Sequence, residues 1–372
     1  MAVKCQVIMD AMEGIAPRHL AESWDNVGLM VGSPRQDIGR VFVCLDVSEM
    51  VIDKAIEMQA DLIISHHPFI FKPMKNIRTD LPQGRLIEKL IKHEIAVFSA
   101  HTNLDIAERG VNDVLAEKLN LQAVVPLTIS DREALVKLVV FIPEGHVDAV
   151  QNAITKAGAG HIGKYSHCTF QLNGQGTFMP LAGTNPFIGQ QGKIEYVNEV
   201  RLETILPEKI INRVIKAMVK AHPYEEVAYD LYPLKQAGKE SGLGRIGKML
   251  QPMRADEFAQ MAKRSLGAGQ VRLVGNPAAM IEKVALCSGS GAEFIGKAAY
   301  AGADMYVTGD VRYHDGQRAL EAGICMLDAG HFATEMPMVN VLAKYLSEQS
   351  QQQKWNIEVS YDDFSQDVFA AF

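Results

Sequence analysis

Paired cysteines are absent from this chain. Its five cysteines, Cys5, Cys44, Cys168, Cys287 and Cys325, are scattered, and none stands in a CxxC. Three of them sit in apolar, strand-like runs ("VFVCLD", "VALCSG", "GICMLD"), so buried reduced thiols are expected, which fits the cytoplasm. No stretch is apolar for long enough to make a membrane helix, and no membrane partner is expected. The start, "MAVKCQVIMDAMEGIAP", reads as an amphipathic helix with acidic residues, not as a signal peptide. There is no block of lysine and arginine, and the formal net charge is −7. Charge therefore gives no reason to expect nucleic-acid binding, and a mildly acidic surface favours solubility.

What is present is core-forming material. The chain has 372 residues, 48% hydrophobic and 22% charged, which suits two or three domains. "RVFVCLD" is followed by the helical "SEMVIDKAIEMQA" and then "DLIISHH"; "EIAVFSAHTNLD" leads into "VNDVLAEKL". Such strand-helix-strand alternation predicts an α/β layer architecture with a largely parallel sheet.

The C-terminal part repeats the plan. "VALCSGSGAEFIGKAAYAGADMYVTGDV" lies over "VFVCLDVSEMVIDKAIEMQADLIISHHP", so that Cys44 meets Cys287, Asp61 meets Asp304 and His67 meets Asp310. "AVFSAHTNLD" lies over "CMLDAGHFATE", so that His101 meets His331 and Asp105 meets Glu335. Identity is low, and duplication and coincidence both stay open. Two similar lobes could converge their strand ends on one cleft.

Between them the texture changes to the order β-α-β-β-α-β, a ferredoxin-like unit. Its second helix, "EKIINRVIKAMVKA", is amphipathic, with Ile210, Ile211, Val214, Ile215 and Met218 at helical spacing. The expected fold is a two-lobed α/β core with an inserted ferredoxin-like α+β domain. The expected boundaries are 1–129 for the N-terminal lobe, 130–235 for the insert and 236–372 for the C-terminal lobe.

Three segments put ligand-like side chains at the ends of apolar strands. "SHHP" gives His66 and His67, "HTNLD" gives His101 and Asp105, and "GHFATE" gives His331 and Glu335. Pairs four apart face the same way on a helical turn. Imidazoles and carboxylates without a thiolate suit Zn, Fe, Mn or Co. One carboxylate can bridge two ions ~3.5–4 Å apart, and a water bound there has its pKa lowered, the recipe for metal-assisted hydrolysis. Several neighbours bear on this site. "WDNVGLMVG" reads as a turn capped by Asp25 and Asn26 with Trp24 in the core. Asp46 ends a strand where it could orient an imidazole, and Asp310 and His314 end another. "GSGAEF" reads as a plain turn before a helix, and "AHPYEEVAYD", with His222, Tyr224, Glu225 and Glu226, as a helix end and domain-interface feature.

In this order, "WDNVGLMVG", "SHHPFIF", "AHTNLD", "TGD" and "GHFATE" resemble the Nif-three-like family, whose bacterial members carry the label GTP cyclohydrolase 1 type 2 homologue. The resemblance covers nearly the whole chain, and the insert resembles the PII- or CutA-like domain of the long members. It implies a dinuclear centre of two divalent ions between the lobes. By motif match the ligands are His66, His67, Asp105, His331 and Glu335, with Glu335 bridging. It also implies a toroidal homohexamer. The expected function is hydrolysis of a nucleotide or related phosphorylated metabolite, with His101 as a proton shuttle or ligand-orienting partner. The alternative is a non-enzymatic metal-binding, metal-delivery or regulatory protein with an effector-binding insert.

Overall fold

The computed structural model describes residues 2–370. They form two compact units. One is built from the chain up to Asp131 and from Ser241 onward; the other is Arg132–Glu240.

The first unit opens with α1 (Cys5–Ile15), which buries Cys5, Ile8 and Met12 along one face. Then follow β1 (Gly28–Val31), β2 (Arg40–Cys44), α2 (Glu49–Glu57), β3 (Leu62–Ser65), α3 (Pro82–Lys92), β4 (Ala96–Ser99), α4 (Thr102–Ile106), α5 (Val111–Lys118) and β5 (Leu121–Pro126). The second unit contributes β6 (Leu135–Pro143), α6 (Val147–Lys156), β7 (Thr169–Phe178), β8 (Glu195–Pro207), α7 (Ile211–Ala221) and β9 (Tyr229–Pro233). The chain returns through β10 (Arg245–Arg254), α8 (Ala255–Leu266), β11 (Arg272–Val274), β12 (Met280–Ser290), α9 (Ile295–Tyr300), β13 (Met305–Gly309), α10 (Tyr313–Glu321), β14 (Cys325–Asp328), α11 (His331–Glu335), α12 (Pro337–Gln352) and β15 (Glu358–Tyr361). No helix among the described residues is long and apolar enough to cross a membrane.

Two mixed sheets carry the first unit, in the orders β15-β2-β3-β4-β1 and β11-β14-β13-β12-β10-β5. In the first, β15, β2, β3 and β4 run parallel and β1 is antiparallel. In the second, β12, β13 and β14 run parallel; β11 and β10 flank them antiparallel, and β5 pairs antiparallel with β10. The strands "LIIS" and "AVFS" are buried at every position. Apolar clusters cover both faces of their sheet, as a parallel sheet requires. Cys44, Cys287 and Cys325 are buried and unpaired.

The repeat seen in the sequence is a repeat of structure. Asp61 Oδ2 accepts hydrogen bonds from the Gly39 and Arg40 amides, and Asp304 Oδ2 accepts them from Glu282 and Lys283. The Asp61 carbonyl accepts from Ala96 N and that of Asp304 from Cys325 N. Each half thus joins three adjacent parallel strands at the same point through one aspartate, whose carboxylate bonds one neighbour and whose carbonyl bonds the other. Each then runs its third strand into a single helical turn, α4 or α11.

Arg245 ties the halves of this unit together. Its buried guanidinium donates to Asp113 and to the carbonyls of Gly242, Gly244, Ile106 and Ala107. Removing it strands those carbonyls and one carboxylate. Arg245→Ala is expected to cost about 3 kcal/mol, read as a lower urea midpoint at unchanged slope; an unshifted midpoint would refute that role.

The Arg132–Glu240 unit has one antiparallel four-stranded sheet, ordered β7-β8-β6-β9. Its core packs α6 and α7 against the sheet through Val150, Ile154, Val214 and Met218. It enters the first unit between β5 and β10. These are hydrogen-bonded neighbours, Arg245 pairing with Pro126 and Ile246 with Val125.

Candidate metal centre

Parallel strands end together, and their C-terminal edge is where the chemistry gathers. His66 and His67 leave β3 with their amides still bonded to the carbonyls of Cys44 and Leu45. His101 leaves β4 and caps α4, which carries Asp105. His331 opens α11 and Glu335 closes it. All six residues meet in one cluster, whose ligand atoms fall into three sets: His66, His67 and His101; His67, His331 and Glu335; His66, Asp105 and Glu335.

Glu335 sits at the centre. Its Oε1 faces His66 Nε2 at 3.8 Å, while its Oε2 lies 3.0 Å from His67 Nε2 and 3.1 Å from His331 Nε2. Asp105 Oδ1 is 3.7 Å from His66 Nε2 and accepts from Ser288 Oγ at 3.2 Å. His66, Asp105 and Glu335 are only 3%, 8% and 4% exposed.

Each ring is fixed from behind through Nδ1. The partners are the Ala100 carbonyl for His66 (2.9 Å), Asp46 for His67 (2.8 Å), Asp25 for His101 (2.9 Å) and Asp310 for His331 (2.8 Å). A carbonyl or carboxylate oxygen only accepts, so each Nδ1 carries a proton and each Nε2 is the atom left to face inward. This is the arrangement that orients metal-ligating histidines. Asp310 supplies its carboxylate from a left-handed backbone (φ 53°), a conformation aspartate tolerates better than most residues. His314 instead bonds Gln317.

The charges are balanced by proximity. Burial works against a proton on His67, but Asp46 and Glu335 outweigh it and raise its pKa to about 10. Glu335 and Asp310 raise that of His331 to about 9 against burial. For Glu335, burial favours the neutral acid, but His331, His66 and His67 hold it ionised well below the usual carboxylate range. Burial pushes Asp105 up. Asp25 is pulled down to about 2, where hydrogen bonds from His101 and Thr102 overcome burial.

The donor set fits divalent metal. His66 Nε2 is buried without a hydrogen-bond partner among the described residues, and Glu335 Oε2 is shared between the His67 and His331 nitrogens. An orphaned polar atom is costly in protein alone, and here it converges with other nitrogen and oxygen donors.

Some neighbours differ from expectation. Trp24 is not in the core: it is 59% exposed, because its ring packs edge-on against His101 and Phe71, with centroids 6.1 Å away in each case. Asp25 does more than cap a turn, since it holds both His101 and Thr102. Of "GSGAEF", Gly289 and Ser290 still belong to strand β12, and Gly291 leads into the short helical turn Ala292–Phe294. Gly289 has φ +59°, and a Cβ there would stand 2.2 Å from Glu335 Oε1. A cavity of ≈ 750 Å³ opens beside His67 and His331, with Asp46, Asp310 and Arg272 in its wall.

Known proteins place the chain. A relative from Halalkalibacterium halodurans, named GTP cyclohydrolase 1 type 2 homolog, is 45% identical over 98% of both chains. A Bacillus subtilis relative of the same name is 47% identical over 93% of both. A solved Bacillus cereus structure, described as a protein related to NIF3, superposes with a TM-score of 0.94 at 43% identity and covers 100% of both chains. Residues 3–367 match the family Duf34/NIF3 (NGG1p interacting factor 3), and the chain belongs to that family.

Proposed function

We propose that the cluster holds two divalent ions and that the protein is a metal-dependent hydrolase of a nucleotide or related phosphorylated metabolite. One observation carries the reading: three imidazoles anchored through Nδ1, those of His66, His67 and His331, turn Nε2 toward two buried carboxylates, with His101 grouped beside them. His66, Asp105 and Glu335 would hold one ion, and His67, His331 and Glu335 the other, with Zn, Fe, Mn or Co suited to these donors. Ions bound there supply Lewis acidity and activate water near neutral pH. The chain's own residues do the positioning. His101, steadied by Asp25 and packed on His66 and His67, is placed to exchange a proton at Nε2. Trp24 and Phe71 offer exposed ring faces for a planar base, and Arg272, held by Asp328 and the Val311 carbonyl, brings positive charge to the cavity wall. The relatives' name points to a purine nucleotide. The family resemblance supports a cytoplasmic homohexamer in which residues 132–240 are a PII- or CutA-like domain.

The second reading is a non-enzymatic metal-binding or regulatory protein; it is favoured by the separate compact unit with a cavity of its own. Metal analysis of the purified chain, with a hydrolysis screen over nucleotides and cyclic or phosphorylated metabolites, separates the two. Metal with turnover supports the hydrolase; metal without turnover on any substrate supports the second reading.

Metal uptake is expected to release protons. With pKa values raised to about 10 and about 9, His67 and His331 are protonated in the metal-free protein at pH 7, and the proton on each Nε2 must leave. Protons should be released at pH 7, and fewer as pH rises past about 9. Calorimetry in buffers of different ionisation heat measures this; a heat independent of buffer would rule out displacement at these nitrogens.

A further inference from the structure

The Arg132–Glu240 unit contains a cavity of ≈ 410 Å³ with no link to the metal cluster's residues. Four aromatic rings line it: Phe141, Phe178, Phe187 and Tyr224. Phe178 and Phe187 lean on Tyr224 with centroids 5.9 and 6.4 Å away. The charged residues of the lining are Glu199, Glu225 and Glu226, all acidic.

Glu199 is the unusual member. It lies on β8 and is only 9% exposed. Its Oε1 accepts from the Tyr224 hydroxyl at 3.0 Å. Among the described residues no lysine, arginine or histidine lies within ion-pair distance of it. Arg201, two residues on, is bonded to Glu203 and lies over the Phe141 ring, 5.7 Å from its centroid, which leaves the rings of Phe178, Phe187 and Tyr224 for a ligand. The nearby imidazole does not compensate either: His222 is bonded on both nitrogens, to the Phe141 carbonyl and the Tyr224 amide, and burial lowers its pKa. Strand β7 makes room for the carboxylate. A Cβ on Gly176 would stand 2.1 Å from Glu199 Oε2, and a glycine inside a strand commonly marks such a close approach.

A buried carboxylate without a counter-charge is unfavourable unless a cation joins it. Aromatic faces around the same space attract cations through their quadrupoles. The volume suits a small organic molecule. We infer that this cavity is a binding site for a small organic cation, an amine or alkylammonium. Its charge meets Glu199 and its alkyl body meets the rings. Glu225 is held at the rim by the Asn185 amide at 3.0 Å and adds acceptor capacity for an ammonium proton. The site stands whether or not the metal cluster is a hydrolase.

The test uses the full-length protein with choline and its uncharged isostere 3,3-dimethylbutan-1-ol, titrated by calorimetry. n-Butylammonium and agmatine serve as further cations. At least one cation should bind saturably, and where choline binds the alcohol should be about tenfold weaker or worse. Glu199→Gln and the rim variant Phe187→Ala should each weaken the cation about tenfold while metal content stays unchanged. Phe187 is largely exposed, so its variant remains folded and informative even if Glu199→Gln is not. Equal binding of choline and alcohol, binding untouched by the variants that fold, or no binding by any of the three cations would each overturn the proposal. So would displacement of the bound cation by Mn²⁺ alone at equal concentration, which would mark an inorganic ion site.

Discussion

Glu335→Gln is expected to leave purification with no more than about half the divalent metal of the unaltered chain. The argument rests on charge and on the division of one carboxylate between two neighbourhoods. Oε1 faces His66, and Oε2 faces His67 and His331. The amide keeps the shape but loses the negative charge, and its NH₂ end donates rather than accepts. Two dications would then lie close together with less compensation, and at least one should leave. His101→Ala is the comparison. His101 touches the cluster from one side, so its loss should weaken affinity or activity by roughly 10–100-fold while both ions remain at saturating metal. Mass-spectrometric metal content at matched concentrations decides. If His101→Ala empties the site and Glu335→Gln keeps it full, the roles are reversed.

Gly289→Ala should damage the centre without replacing any residue of the cluster. Alanine at φ +59° is strained by about 1–2 kcal/mol. Its Cβ would press within 2.2 Å of Glu335 Oε1 and 3.2 Å of His331 Nε2. The end of a buried glutamate cannot yield by that much and still face three imidazoles. Metal affinity should fall on the order of 100-fold or more, at the upper end of what mutation of supporting residues costs. Chelator competition measures it, with exposed Ser290→Ala as a control that should match the parent. Parent-like affinity in Gly289→Ala would mean that the carboxylate is free to relocate and that Glu335 does not fix the cluster.

The six residues of the cluster are legible in the sequence because each follows a buried apolar strand within a few residues, and strand ends of a parallel sheet are brought together by the architecture alone. The α/β class is legible for the same reason: "LIIS" and "AVFS" are buried on both faces and read as continuous apolar runs. The residues that hold the donors are harder to see. Asp25 precedes His101 by 76 positions, and nothing local distinguishes an aspartate that holds an imidazole from one that caps a turn. Trp24 is misplaced by its hydrophobicity, which predicts burial, whereas it covers the His101 ring from outside, beside Phe71. Gly289 looks like turn punctuation; only the approach of Glu335, 46 residues later by numbering, shows what its missing side chain is for. Arg245 has no signal beyond being an arginine in a strand, because its five acceptor residues come from both halves of the chain. One feature of this kind is partly legible: Asp61 and Asp304 coincide when the halves are aligned, and the structure shows them making matching bonds.

The entry of the Arg132–Glu240 unit between two paired strands bears on the order in which the protein folds. Pairing β5 with β10 brings together segments separated by the whole of that unit. In an unstructured chain this is a long-loop closure, and its entropic cost grows with the logarithm of the loop length. Once the inserted residues have folded, their ends are held by a ladder: Leu127 and Thr128 reach Gly244 and Leu243, and Ser130 reaches Ser241. The long loop then behaves as a short hairpin. An insert that folded first would lower the effective contact order of the six-stranded sheet and speed its closure, a rate effect independent of anything it binds.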